Sequence, residues 1–476
     1  MGGTILKFNV RWPCHILWRL KQFFRFRTGT CIFGVLVFTA HIAFARTAQE
    51  AASYINQFPV LRIGMAEGTG NGHQAITISV INRLRQIGYR GHIELYYHAN
   101  CKKKLEYLLP PFWADGDDHQ VIKRLDVETF KLNESPAERL PLGILAGDNY
   151  NLRIQDLNVD NLLIIHPPNW GRRPNLKTQK LNFEFEKIAI SSPLQIEPPN
   201  VANIQEFLTL QMGAAPKLRS KIAGIENLLE NQKAEAVSVL FAYGLGVRGQ
   251  GKLATLLAGL RLAQKIKPEL FPRPIVIGLI SNVNDEEWAQ VRHALDLNTG
   301  ANHWLRLFDV QDPNLRTLLK EASLDTISVI RIGNVTQDVW NFLMERSDLP
   351  PLVAGANGVT HLLRQGRPFA ATSDDSLSDG FTSLPSSQYV NAQLYDTWQA
   401  LEGGQVLAFA GWLIRAVTPN SQLARHFREQ GAYSRVMPDR LCEALLATNR
   451  VLTTLQQKKP STKFSKNFFN WLRSVR

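Results

Sequence analysis

Two rhythms of apolar residues alternate along this chain. Val60 to Ala66 is an apolar run of strand length, and after a glycine-rich gap Ile76, Val80, Leu84 and Ile87 recur at helical spacing. Gly91 to His98 alternates in the manner of a second strand. Leu142 to Leu145 and Leu162 to His166 are further short apolar runs, the latter stopped by Pro167 and Pro168. Residues 212–235, rich in Lys, Glu, Asn and Ala, carry no strand signal and predict a helical connector. A second cycle then begins with a strand over Ala236 to Ala242, a glycine-rich loop over Gly244 to Gly251 and a helix over Leu253 to Ala263. Strands follow at Ile275 to Ile280, Ile327 to Ile332 and Pro368 to Thr372, separated by helical stretches such as Glu286 to Leu295 and Asp338 to Met344. Strands interleaved with helices imply parallel sheets, so the pattern predicts two α/β halves in tandem. Between two Rossmann-like halves lies a cleft, with ligands at the carboxyl ends of the strands.

Composition agrees with two packed cores: 476 residues, 45% hydrophobic and only 20% charged, exceed what one core holds and are too apolar for disorder. The net charge of +13 invites a nucleic-acid reading until its location is considered. Residues 1–45 hold six basic residues and no acid, and the last twenty residues hold six more, again without an acid. The body is therefore almost neutral and offers no basic excess for a phosphate backbone, which excludes nucleic acid as the expected partner. Cys14, Cys31, Cys101 and Cys442 lack any CxxC spacing, which argues against a disulfide framework or a cysteine zinc site.

The ends have their own character. Cys31 to Ala45 is a short apolar run with a basic, aromatic flank before it and a small-x-small close, the shape of a signal peptide. It is short for a membrane span, so a removed signal, a signal anchor and an interfacial segment all satisfy the pattern. Phe464, Phe468, Phe469, Trp471 and Leu472 alternate with Lys and Arg in a tail suited to an anionic membrane surface or to a solvated terminus. Membrane association is the expectation, with the side of the membrane undecided.

Three loops carry candidate chemistry. Gly68, Thr69, Gly70, Asn71 and Gly72 follow a strand and open a helix, where free backbone N–H groups meet an anion, and His73 stands in the first turn as a candidate base. Gly244 to Gly251, with Gly246 and Arg248, repeats the strand-loop-helix shape. Gly355, Ala356, Asn357 and Gly358 open the helix carrying His361 and ending at Gly366-Arg367-Pro368. Asp115-Gly116-Asp117-Asp118-His119 offers oxygen and imidazole ligands for a divalent ion, but it follows Pro110-Pro111 and reads more simply as a solvated loop. Asp374-Asp375, after a predicted strand, reads as a capped turn or as cleft-facing acids. GxSxG, HExxH and Walker motifs are absent.

Taken in order, these pieces resemble glycosyltransferase family 28, which includes the N-acetylglucosaminyltransferase of lipid II synthesis and the galactolipid synthases. The likeness spans roughly residues 60–410. Gly68 to His73 looks like the family's amino-terminal glycine loop, and Ala242 to Gly246 like the turn opening its donor domain. Ser347 to Leu349, through Gly355-Ala356 to Gly366-Arg367-Pro368, resembles its donor loop and helix. Ser387 to Ala392, containing Gln388 and Asn391, resembles the segment that touches the donor sugar, followed by Leu401 to Gly404. The sequence departs from the family at His361, where a glutamate is usual, and at Gln388, where a pair of glutamines is usual.

The resemblance implies a GT-B fold, two Rossmann-like domains facing across a cleft, preceded here by an apolar segment. Expected boundaries are 1–50 for a targeting or anchor segment and 51–235 for the acceptor domain with its connector. A donor domain over 236–415, helices over 416–456 and a basic aromatic tail over 457–476 complete the chain. The implied activity is inverting, metal-independent transfer of a sugar from a nucleotide-sugar, UDP-linked by family habit, to a lipid, saccharide or protein acceptor near a membrane. Beyond the nucleotide-sugar co-substrate, no cofactor or metal is implied. His73 takes the catalytic role and Gly68 to Gly72 the acceptor or phosphate loop. Gly244, Gly246 and Arg248 take the diphosphate, Gly355 to Gly358 and His361 the nucleotide, and Gln388 and Asn391 the sugar. A nucleotide-sugar epimerase, a non-catalytic nucleotide-sugar-binding protein and a structural membrane-surface protein are the alternatives.

Overall fold

The computed structural model describes residues 47–65, 72–102, 105, 120–122, 127–131, 138–146, 156–165, 203–213, 216–245, 250–299, 303–354, 358, 361–362, 365–372, 405–435 and 440–457. Two six-stranded sheets organise them. The first contains β1 (Val60–Met65), β2 (His92–Tyr97), β3 (Gln120–Ile122), β4 (Val127–Lys131), β5 (Leu140–Ala146) and β6 (Val159–Ile165), in the order β3-β4-β2-β1-β5-β6. The second contains β7 (Ser238–Ala242), β8 (Ile275–Leu279), β9 (Leu305–Asp309), β10 (Ile327–Arg331), β11 (Leu352–Ala354) and β12 (Ala370–Thr372), in the order β9-β10-β8-β7-β11-β12. Numbered within its own half, each sheet has the same order, 3-4-2-1-5-6.

All pairings are parallel except the edge pair β3 with β4, which is antiparallel. Buried parallel strands read as unbroken apolar runs, and β7 (SVLFA) and β8 (IVIGL) are buried at every position. The predicted tandem of α/β halves is therefore observed, with the first strand of each half at the centre of its sheet.

Helices cover the sheets. The first core takes a helix over 47–55 and α2 (Gly72–Gln86), whose Ile76, Val80, Ile81 and Leu84 are buried. The second core takes α3 (Ile204–Met212), α4 (Ile222–Lys233), α5 (Gln250–Ile266), α6 (Asp285–Thr299), α7 (Leu315–Lys320) and α8 (Gln337–Glu345). Phe207, Leu208, Ile225, Leu228 and Leu229 of α3 and α4 lie in this second core, so the chain has already entered the second half at about residue 204. After β12, α9 (Gln405–Val417) and α10 (Gln422–Arg435) still pack on the second core through Phe409, Leu413 and Phe427. The chain then returns: Leu441, Cys442, Ala444 and Leu445 of α11 (Arg440–Gln457) are buried in the first core. Burying each of the two leucines is worth about 1.5–3 kcal/mol, so this last helix is fastened to the first half.

Cys101 and Cys442 are buried, and neither is in a disulfide; Cys14 and Cys31 lie outside the described residues. No helix among the described residues is long and apolar enough to cross a membrane. The predicted amino-terminal segment and basic tail lie outside the described residues.

Candidate functional site

Each sheet changes winding direction beside its central strand. From β7 the chain steps to β8 on one side and eventually to β11 on the other, and from β1 it steps to β2 and later to β5. Connections leaving adjacent strands in opposite directions open a crevice at their carboxyl ends, where ligands bind in folds of this type. In the sequence, the three glycine-rich segments directly follow strands that border these crevices, and most of their residues lie outside the described ones. Residues 66–71 follow β1, residues 246–249 follow β7, and residues 355–357 follow β11.

In the first half, Gly72 and His73 open α2 directly beyond β1. Thr77 Oγ1 donates to the carbonyl of Ala146, the last residue of β5, at 3.2 Å. This bond holds the first turns of α2 over the β1–β5 crevice, so the backbone of His73 stands at the switch point. The His73 side chain, Gly68, Thr69, Gly70 and Asn71 lie outside the described residues.

The second half shows more of its rim. Gly244 follows β7 with φ at +89°, a left-handed conformation that favours glycine. Its N–H and that of Leu245 both donate to Ser281 Oγ, at 3.0 and 3.1 Å, so the hydroxyl beyond β8 fixes where the loop leaves β7. Beyond β10, Gly333 has φ at +66°, and a Cβ there would stand 3.0 Å from Asn282 Oδ1 and 3.3 Å from Lys221 Nζ. Lys221, at the start of α4, donates to the carbonyl of Asn334 at 2.8 Å. Burial pushes its amine down to about 8. No carboxylate forms an ion pair with it among the described residues. Gly244, Ser281, Asn282, Gly333, Asn334 and the Lys221 ammonium thus share the carboxyl edge of β7, β8 and β10.

A half-buried cation lacking a counter-charge carries a desolvation cost, and an anionic ligand would relieve it. Farther along the same edge, Arg331 is neutralised by Asp309, at 3.0 and 2.7 Å, and by Asp285. The α6 amino terminus is closed by a reciprocal cap between Asn284 and Glu287, both bonds 2.8 Å. Among the described residues of this edge, Lys221 is the cation left without a carboxylate partner.

The crevice between β7 and β11 has an aromatic wall. Tyr243 and Trp340 meet edge-on with centroids 5.6 Å apart, and the Trp340 indole N–H is buried without an acceptor among the described residues. Gly358, at the start of the helix after β11, lies so close to this wall that a Cβ would come within 2.3 Å of Val353 Cγ2 and 3.2 Å of Trp340. Its missing side chain lets the helix start sit against the sheet.

His361 faces α8, with Nε2 3.3 Å from Glu345 Oε1 and 3.0 Å from Gln365 Nε2, and its ring 5.7 Å from Trp340. Arg367 donates to the carbonyls of Glu345, at 2.6 Å, and Ser347. Ser347 Oγ accepts from Phe241 N–H at 3.0 Å and Asp348 Oδ2 from Val239 N–H at 2.9 Å. In the structure Ser347, Asp348 and Arg367 brace β7 and the turn after α8. Gly246, Arg248, Gly355, Ala356, Asn357, Gln388 and Asn391 lie outside the described residues, as do Asp115 to His119 and Asp374-Asp375.

Sequence reasoning missed Lys221, Ser281, Asn282, Gly333 and Asn334. A faint signal existed, since the strands β8 and β10 both run out into a small residue followed by asparagine, Ser281-Asn282 and Gly333-Asn334.

Comparison of the sequence with models of known families and with characterised proteins gives no match. Among solved structures, the chain is similar to one described as trehalose-6-phosphate from E. coli bound with UDP-2-fluoro glucose. The two are 9% identical with a TM-score of 0.40, over 82% of this chain and 98% of that one. Spinosyn rhamnosyltransferase SpnG is similar at 11% identity and a TM-score of 0.36, over 81% and 99%. For the α,α-trehalose 6-phosphate synthase of Burkholderia multivorans the values are 11% and 0.30, over 88% and 77%. At these TM-scores none of the superpositions assigns a residue or an activity to the chain.

Proposed function

We propose that the chain is a glycosyltransferase of the GT-B kind, transferring a sugar from a nucleotide-sugar donor without a metal ion. The observation that carries this reading is the repeated strand order 3-4-2-1-5-6, in which the central strand of each sheet is followed in the sequence by a glycine-rich segment. It supplies two crevices, one for each substrate. The motif order resembling family 28 assigns the second half to the donor and the first to the acceptor, with UDP as the nucleotide and inversion as the stereochemical outcome.

In this mechanism the donor diphosphate lies along the carboxyl edge of β7 and β8, near the Lys221 ammonium, against the turn at Gly244 and the backbone N–H groups of Gly246, Arg248 and Gly355 to Gly358. His73 takes the proton from an acceptor hydroxyl, whose oxygen attacks the anomeric carbon from the opposite face. The bond from that carbon to the phosphate oxygen breaks, and the nucleotide diphosphate leaves carrying the electron pair. Fixed N–H dipoles and Lys221 stabilise the charge that develops there, which is how such a site dispenses with a metal. Gln388 and Asn391 contact the sugar. The same motif order assigns His361, held at Nε2 by Glu345 and Gln365, to the nucleotide. The acceptor is a lipid, a saccharide or a protein near a membrane, consistent with the basic, aromatic ends.

The test is release of nucleotide diphosphate from UDP-sugars in a chelator-containing buffer, with and without acceptors. Slow donor hydrolysis that accelerates with an acceptor supports transfer. Nucleotide binding without turnover would instead favour a non-catalytic binder of the same fold.

A further inference from the structure

The opposite edge of the second sheet holds a cavity that the proposed reaction does not use. Its volume is about 480 Å³, within the roughly 300–1,000 Å³ usual for small-ligand sites. Trp304 immediately precedes β9 and Thr326 immediately precedes β10, so the cavity opens at the amino ends of these strands, away from the carboxyl edge that carries Gly244 and Lys221. Its floor is apolar, formed by Ala258 and Leu262 of α5, Trp304, and Val406 of α9.

Four ionisable side chains also line it. Arg261 and Lys265, one turn apart on α5, line the cavity together with His303 and Asp325. Arg261 is held in place by bonds to Gln264 Oε1 at 3.0 Å and to the Leu324 carbonyl at 3.4 Å, with Asp325 at 3.8 Å. Its Nε–H is buried with no acceptor among the described residues. Lys265 is exposed and makes no ion pair among the described residues. Asp325 is almost fully exposed and meets Arg261 only at that long distance, leaving the mouth net cationic.

A third observation joins these. The large hydrophobics exposed among the described residues are Leu210, Ile266, Leu324 and Leu407. Three of the four adjoin the lining: Ile266 is one turn beyond Leu262, Leu324 precedes Asp325, and Leu407 follows Val406. Clustered exposed apolar groups around an apolar hollow mark a binding surface rather than scattered surface residues. An apolar hollow with a cationic rim matches a long apolar chain that ends in an acid.

We propose that this cavity binds a single-chain anionic amphiphile, its alkyl chain against Leu262, Trp304 and Val406 and its phosphate or carboxylate headgroup on Arg261 and Lys265. The site is separate from the nucleotide crevices and does not depend on the glycosyltransferase reading. Titration calorimetry of the full chain with dodecyl phosphate below its micellar concentration tests it, with dodecyl maltoside and inorganic phosphate as the two half-ligands. The expected result is saturable one-to-one binding of dodecyl phosphate, at least tenfold weaker binding of each half-ligand, and at least a tenfold loss in Lys265→Glu. Leu262→Asp should abolish it. Since Leu262→Asp also touches the core, its fold is checked by melting; Lys265→Glu alters an exposed side chain and keeps the test decisive if the other variant fails to fold. Absence of binding, equal binding of either half-ligand, or unchanged affinity in Lys265→Glu would overturn the proposal.

Discussion

Replacing Lys221 by methionine separates stability from ligand binding in opposite directions. Burial lowers the lysine from 10.5 to about 8, which at 1.36 kcal/mol per unit corresponds to about 3 kcal/mol of cost to the charged folded state. The side chain is partly accessible, and solvent screening reduces this to about 1–2 kcal/mol. Methionine removes that cost but forfeits the bond to the Asn334 carbonyl, worth about 1 kcal/mol. The variant should therefore melt at the wild-type temperature or slightly above it. The folded-state pKa lies below the unfolded one, so the folded chain binds fewer protons between pH 8 and 10.5. Wild-type stability should accordingly rise relative to Lys221→Met across that window and hold a constant offset below pH 8. Affinity for UDP should fall, since a charge-assisted contact of about 1.5–3 kcal/mol is lost, roughly ten- to a hundredfold. Paired urea melts at pH 7 and pH 10, with UDP titrations at pH 7, measure all three. A variant destabilised by more than about 2 kcal/mol that keeps its UDP affinity would refute the reasoning and make Lys221 a structural residue.

Other substitutions probe the same edge. Gly358→Ala forces a methyl against Val353 and Trp340 and should cost about 1–3 kcal/mol in denaturant melts, with weaker nucleotide binding because the helix start is pushed off the sheet. Ser281→Ala removes the shared acceptor of Gly244 and Leu245 and should cost about 1–3 kcal/mol, with UDP affinity falling in the same samples. His73→Ala should leave UDP binding within about twofold of wild type while lowering acceptor-dependent turnover by about 100-fold or more, read by nucleotide release.

Central elements were legible in the sequence because a strand buried on both faces leaves an unbroken apolar run, as at β1, β7, β8 and β10. The edge strands β6 and β12 also left readable runs, whereas β9 and β4 did not. Leu305–Asp309 mixes Arg306 and Asp309 into a half-exposed strand, and Val127–Lys131 alternates polar and apolar over only five residues. β11 is three residues long, directly after Pro350-Pro351, and offered no run to see. The glycine-rich segments were visible in the sequence because turns that open a helix after a strand carry a local signature. Lys221 had none. It reaches the site because α4 brings it to Asn334, 113 residues away, and no local pattern records such a contact. For His361 the local order suggested a nucleotide contact, and the packing adds what the sequence did not record, Glu345 and Gln365 as its neighbours.

The most direct test of the central claim is a metal-free thermal shift of the full chain with UDP and UDP-sugars, followed by nucleotide release in the same buffer. A ligand present at 100 times its dissociation constant and bound only to the folded state adds about 2.7 kcal/mol. The account predicts a shift of that order with UDP, reduced in Lys221→Met, and acceptor-stimulated release of nucleotide diphosphate. A well-folded chain that shifts with no nucleotide and releases none would contradict it.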